Sequence, residues 1–171
     1  MKQNASLDAS FWINACNADL VGFLFDYFIL FVCQVVVDEI RYPITHLGIE
    51  ATCPRLLDEQ VSSGRIVVQN PQQSVDWFQA GENAAVGLAI EWGYVLLIDD
   101  ANPFHFAKSK GLRVIGALDL LVFLHDQDRL NYADAVAAIG RVRASKKQLR
   151  QAHVALEILA REKGEKTNAT K

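Results

Sequence analysis

The stretch Tyr94-Val95-Leu96-Leu97-Ile98-Asp99-Asp100 runs five apolar residues straight into two adjacent carboxylates. A continuous, mostly branched apolar run reads as a parallel strand buried on both faces. In open α/β sheets, ligands sit outside the carboxyl ends of such strands. Two acids at that edge are costly unless something positive joins them, and a metal ion is the simplest candidate. Three more acids fall where an edge is expected. Asp8 ends the short strand Ala5-Ser6-Leu7, Glu39 rides the helix after a second strand, and Glu82 sits in the first turn of a later helix. In a parallel sheet the ends of neighbouring strands share one rim, so Asp8 and Asp99 can meet there. Mg²⁺ and Mn²⁺ prefer carboxylate oxygens and keep several waters. A cation held this way lowers the pKa of bound water and neutralises charge on a phosphoryl group under attack.

Each acid taken singly has a plainer reading as a solvated surface residue. A carboxylate at a helix N-terminus interacts favourably with the dipole, which suffices for Glu82. Turn chemistry at a strand end suffices for Asp99 and Asp100. The combination carries the metal hypothesis.

The elements that must position these acids follow from the pattern of the chain. Strands are expected at 5–7, at Phe28-Ile29-Leu30-Phe31-Val32, at 65–69, at 94–98 and at 112–115. Helices are expected over 11–16 with Ser10 as cap, over 20–25, and over 34–41, where Pro43 closes or kinks the helix. Residues 43–55 read as less regular, followed by a helix at 56–61. Helix 84–91 opens at Gly81-Glu82-Asn83 and stops at Gly93. Asn102-Pro103 signals the start of another, ending near Lys110. Further helices are expected over 118–124, 132–142 and 145–161. In the last of these Leu149, Ala152, Leu156 and Leu159 form one apolar stripe. Strands alternating with helices predict an α/β fold, a three-layer α/β/α sandwich around a mostly parallel sheet.

A chain of 171 residues is expected to form one domain, over residues 1–163, with a polar, disordered tail at 164–171. Cys16, Cys33 and Cys53 are odd in number and lack C-x-x-C spacing, which reads as reduced, structural thiols of a cytoplasmic protein. Leu7 to Leu20 contains two aspartates and does not form a secretory signal. The apolar region 20–37 is interrupted by Asp26, Tyr27 and Gln34, too short a run for the ~20 residues a bilayer span needs. Charge is unevenly spread. Residues 1–140 carry 8 Lys and Arg against 17 Asp and Glu, whereas residues 141–171 carry 9 against 3. An acidic body with a basic C-terminal segment needs a partner or a packing reason.

The ordered set Ser6-Leu7-Asp8-Ala9-Ser10, Val35-Val36-Val37-Asp38-Glu39-Ile40, Gly81 to Ala89 (GENAAVGLA), Leu97-Ile98-Asp99-Asp100 and Lys110 to Gly116 (KGLRVIG) resembles the PIN domain. The branch it resembles most is the DUF3368 type, with a G-E-x-x-A-I-x-L-A helix and an L-I-D-D strand end. The resemblance covers residues 5 to 130. It implies a divalent-metal ribonuclease that uses Mg²⁺ or Mn²⁺, and many such proteins are toxins of toxin–antitoxin pairs, similar to VapC proteins. It also implies that Asp8, Glu39, Glu82 and Asp99 and/or Asp100 are the catalytic and metal-binding residues, with Ser10 supporting the first acid. An RNA substrate, a homodimer and a protein antitoxin that inserts a basic side chain among the acids are the implied partners. The pattern departs in two places: the Ala-Arg that often follows the paired acids is replaced around Asn102-Pro103-Phe104-His105, and Asp119 stands where glycine is common. The contrasting expectation is a PIN-like interaction module with little or no nuclease activity.

The remaining residues offer less. Asp119 reads as solvent-facing, with an extra rim acid as the alternative. His105 reads as a surface histidine that could also meet a phosphate. His46, His125 and His153 are too scattered for a zinc site. Trp12, Trp77 and Trp92 are expected in the core or half-buried. The basic segment, with Lys146, Lys147 and Arg150 off the apolar stripe, admits a solvated helix, an RNA guide or a packing surface.

Overall fold

The computed structural model describes residues 1–47, 51–73 and 75–165, and leaves the side chain of Leu47 undescribed. Five short apolar segments form the sheet: β1 (Gln3–Leu7), β2 (Phe28–Val32), β3 (Ile66–Val68), β4 (Val95–Leu97) and β5 (Val114–Ile115). They pair in the order β3-β2-β1-β4-β5, and every pairing is parallel. Helices cover both faces, giving the three-layer α/β/α sandwich that the alternation of strands and helices predicts. Burial on both faces explains why Ala5, Ser6 and Leu7 in β1, and Val95, Leu96 and Leu97 in β4, all lie inside.

Nine helices link and cover these strands among the described residues: α1 (Ala9–Asn17), α2 (Val21–Tyr27), α3 (Gln34–Leu47), α4 (Thr52–Ser62), α5 (Ala80–Trp92), α6 (Ala101–Ser109), α7 (Ala117–Asp126), α8 (Tyr132–Ile139) and α9 (Lys146–Glu162). The central one is α5. Its run from Asn83 to Ala89 is buried, because the helix lies on β1 and β4 with α3 and α6 against it. Small residues at 81, 84, 85, 87 and 89 let it approach the sheet closely. Ser6 makes that contact polar, donating from its hydroxyl to the Ala85 carbonyl at 2.8 Å. Gly93 ends α5 in the left-handed region with φ 65°, where a side chain would be strained. Elsewhere in the molecule α7 packs on α1, α8 and α9, and the buried stripe of α9 is Ala152, Leu156 and Ala160.

Several local expectations change. Asp8, not Ser10, is the N-cap of α1, because its carboxylate accepts the Ser10 N–H. Asp100 caps α6, so Pro103 is the third helical residue rather than the first, still within the turn whose N–H groups lack helical partners. Pro43 does not close its helix: α3 continues to Leu47. Having no N–H, Pro43 leaves the Glu39 carbonyl without its helical donor. Of the tail expected over 164–171, residues 166–171 lie outside the described residues. Glu165 closes the end of α9 through its N–H to the Ala160 carbonyl at 2.8 Å. Residues 48–50 of the irregular stretch also lie outside the described residues. Among the tryptophans only Trp12 is in the core; Trp77 and Trp92 are exposed.

Candidate functional site

The C-terminal ends of β1 and β4 are adjacent, with Leu7 opposite Leu97 in the register. One residue further, the Asp8 N–H donates to the Leu97 carbonyl at 3.0 Å. Side chains alternate across a strand. Ser6 faces α5, so Asp8 returns to the α5 side of the rim. By the same alternation and register, Asp100 shares that side and Asp99 takes the opposite one.

The contacts agree. Both oxygens of Asp99 are occupied on the α1 and α7 side: Oδ1 accepts the Ala117 N–H at 2.8 Å and Oδ2 accepts from the Asn14 amide at 2.8 Å. Gly116 leaves the space for it, since a Cβ there would lie 2.8 Å from Asp99 Oδ1. Asn14 in turn holds the main chain of Arg143, accepting its N–H at 2.8 Å and donating to its carbonyl at 3.2 Å. Asp99 is therefore the knot that ties β4, α1, α7 and the start of the basic segment together. Burial pushes its carboxyl up, the Asn14 and Ala117 bonds pull it down, and the charges of Asp119 and Asp100 add to the upward push.

On the α5 side, Asp8, Glu39, Glu82 and Asp100 gather. Asp8 is 2 % exposed. Its Oδ2 accepts both the Ser10 N–H at 2.8 Å and the Ser10 hydroxyl at 2.6 Å. That hydroxyl also accepts the Asp99 N–H at 3.0 Å, so Ser10 locks the two strand ends together. Burial pushes the Asp8 carboxyl up to about 7; the two Ser10 bonds oppose the push, and the carboxylates of Glu39 and Asp100 reinforce it. Glu39 is raised by burial and then by the charges of Glu82 and Asp100. Glu82 is raised by burial and by Asp100, against its bond to the Gln79 N–H. That bond, at 3.0 Å, is one half of the box that caps α5. Among the described residues no Lys or Arg forms an ion pair with any of these four acids.

The Glu39 carboxylate fills the space left by the missing side chain of Gly81. A Cβ on Gly81 would meet Glu39 Oε2 within contact distance. Gly81→Ala is expected to leave the melting temperature within about 2 °C, because a flexible carboxylate can swing aside and Ala favours the helix.

The donor set is made of hard oxygens, which suits Mg²⁺ or Mn²⁺ and not zinc. Among the described residues, no three His, Cys, Asp or Glu side chains form a compact ligating group. Mg²⁺ takes only one or two carboxylates and completes its shell with water. The residues present fit such an ion.

The other candidates separate from the rim. Asp119 is exposed and its Oδ2 accepts the Gly116 N–H at 3.1 Å, capping α7. His105 is exposed on α6. His125 is buried, with Nδ1 on the Leu130 carbonyl at 3.0 Å. All three cysteines are free. Lys146, Lys147 and Arg150 are exposed on α9, and the segment leading to that helix passes the rim at Arg143. Sequence reasoning missed Asn14, Gly81 and Asn83. Of these Gly81 had a signal, a glycine beside an acid at a helix start; Asn14 acts through contacts far apart in the chain, and Asn83 through the loop five and six residues before it.

A parallel sheet of this order, covered by helices on both faces, defines an α/β/α domain. The family model for the PIN domain (DUF3368) matches residues 7–162, and the chain belongs to this family. PIN domains are generally metal-dependent nucleases, so the family implies a nucleic-acid substrate. No curated protein matches the chain. Among the described residues, no helix is long and apolar enough to cross a membrane.

Proposed function

We propose that this chain is a Mg²⁺- or Mn²⁺-dependent endoribonuclease, with Asp8, Glu39, Glu82 and Asp100 as the groups that hold the metal. The observation that carries the reading is the set of four uncompensated carboxylates on one side of the rim, one of them buried. Clustered carboxylates oppose their own ionisation, and a cation is what relieves them. When bound, a divalent cation supplies a water of lowered pKa and neutralises charge on the phosphodiester. The chain's own residues do the positioning. Ser10 orients Asp8, Gln79 orients Glu82, Gly81 admits Glu39, and Asp99 holds the two strand ends in register. The product carries a 5′-phosphate. In this reading the chain is the toxin of a toxin–antitoxin pair, works as a cytoplasmic homodimer, and offers its acidic rim to a basic side chain of the antitoxin.

The test is thermal unfolding with and without millimolar Mn²⁺ or Mg²⁺, run beside cleavage of a single-stranded RNA. A ligand at ten times its Kd adds about 1.4 kcal/mol to the folded state, roughly 3–5 °C for a domain of this size. Absence of both the shift and the cleavage would leave the interaction module as the better reading. On its side are the lack of an arginine beside Asp100 in Asn102-Pro103-Phe104-His105, the acidic body of the chain, and the lack of a compact ligating group among the described residues.

A further inference from the structure

A rim of carboxylates repels a polyanion even when one cation sits on it. An RNA held there needs favourable contacts beside the acids. The segment entering α5 offers them. Trp77 is 63 % exposed, although an indole is a large apolar surface to leave in water. The ring is displayed by a built support. Asn83, itself buried, accepts the N–H of Trp77 at 3.1 Å and of Phe78 at 2.8 Å, and donates to the Phe78 carbonyl at 2.8 Å. Phe106 packs edge-to-face on Trp77 with centroids 4.5 Å apart. Lys110 Nζ lies 5.8 Å from the Trp77 centroid.

A pocket of about 370 Å³ opens between this segment and the start of α6, lined among others by Trp77, Phe78, Gln79 and Asn102, with Glu82 and Asp100 in the same wall. The volume lies at the small end of ligand pockets. It suits one small planar group and is too small for a helix or a folded partner. The amides of Gln79 and Asn102 supply donors and acceptors, and Lys110 supplies charge for a neighbouring phosphate. Stacking on an aromatic ring tolerates every base and requires the base to be unpaired.

We propose that Trp77 is the stacking platform for an unpaired base of the RNA, on a nucleotide adjoining the phosphate that lies at the acidic rim. The proposal rests on the nuclease reading and gives that site a single-strand preference. It is tested by binding of fluorescein-labelled hexauridylate, followed by anisotropy in Mn²⁺, with Asp8→Asn as the common background so that the RNA stays intact. Adding Trp77→Ala should weaken binding about tenfold, the loss of one base stack. Trp77→Phe should recover most of it. Trp92→Ala, at a second exposed tryptophan at the far end of α5, should change nothing. Equal affinity with and without the Trp77 ring, or no binding in the background protein, overturns the platform. Cleavage by the otherwise unsubstituted chain is read separately. Loss of binding on Trp77→Ala in a chain that never cleaves would sink the nuclease reading and leave the base site standing. Cleavage with a KM indifferent to Trp77→Ala would do the reverse.

Discussion

Asp8→Asn should make the metal-free protein more stable at pH 8 while abolishing metal-dependent RNA cleavage. Burial and the neighbouring acids push the Asp8 carboxyl up to about 7 in the fold, against about 3.9 in an unfolded chain. The folded state therefore binds more protons than the unfolded one between these values. Stability is fully present below about pH 4 and is lost as pH rises through 7. The full loss is on the order of 4 kcal/mol for this group alone. Glu39, Glu82 and Asp99 are also raised and act in the same direction. Asparagine has the same shape, can still accept from Ser10, and carries no charge to desolvate. Its melting temperature should exceed the wild type's by several degrees at pH 8 and match it near pH 4. A divalent cation should stabilise the wild type more at pH 8 than at pH 5, because it competes with protons for the same oxygens. Differential scanning fluorimetry across this pH range reads all three. A variant less stable than the wild type at pH 8, or one that still cleaves, would remove Asp8 from the role assigned to it.

Asp99→Asn and Asp100→Asn should part company. Both Asp99 oxygens accept N–H groups from elements far apart in the chain. An amide there has one acceptor and must turn its NH₂ toward one of those donors. The expected loss is about 1–3 kcal/mol, seen as a lower melting temperature with or without metal. Asp100→Asn removes a charge from among Glu39, Glu82 and Asp8 and touches none of those bonds. It should keep or raise the metal-free melting temperature and erase the shift caused by Mn²⁺. The same pair of measurements on the two variants decides between them. A metal shift that survives Asp100→Asn in full would assign the ligand to Asp99 instead.

The basic segment gains a physical place from the same network. Arg141 is tied to Asp19 at 2.6 Å, and the Asn14 amide pins the main chain of Arg143 next to Asp99. The basic segment thus begins beside Asp99, on the α1 and α7 side of the sheet, opposite the four clustered acids.

The chain's own pattern determined the sheet and the general location of the acids. Phe28–Val32 is a strand with the bounds its β-branched and aromatic residues predict, and the continuous apolar run before Asp99 and the short segment Ala5-Ser6-Leu7 before Asp8 place both acids at strand ends. These features are local, so spacing alone carries them. Only the tertiary structure separated Asp99 from Asp100. Adjacent residues on a strand face opposite sides, and which side holds the site depends on the register of β4 against β1 and on where α5 lies. The same holds for Trp77, whose apolar ring predicts burial and whose exposure follows from the hold of Asn83 on its loop. It holds for Gly81 as well, whose missing side chain matters only because Glu39, more than forty residues earlier in the chain, fills the space. For Asp99, Asp100 and Gly81 the deciding contacts join elements distant in sequence, which no local pattern encodes; for Trp77 the hold of Asn83 spans six residues, and the distant partner is Phe106 against its ring.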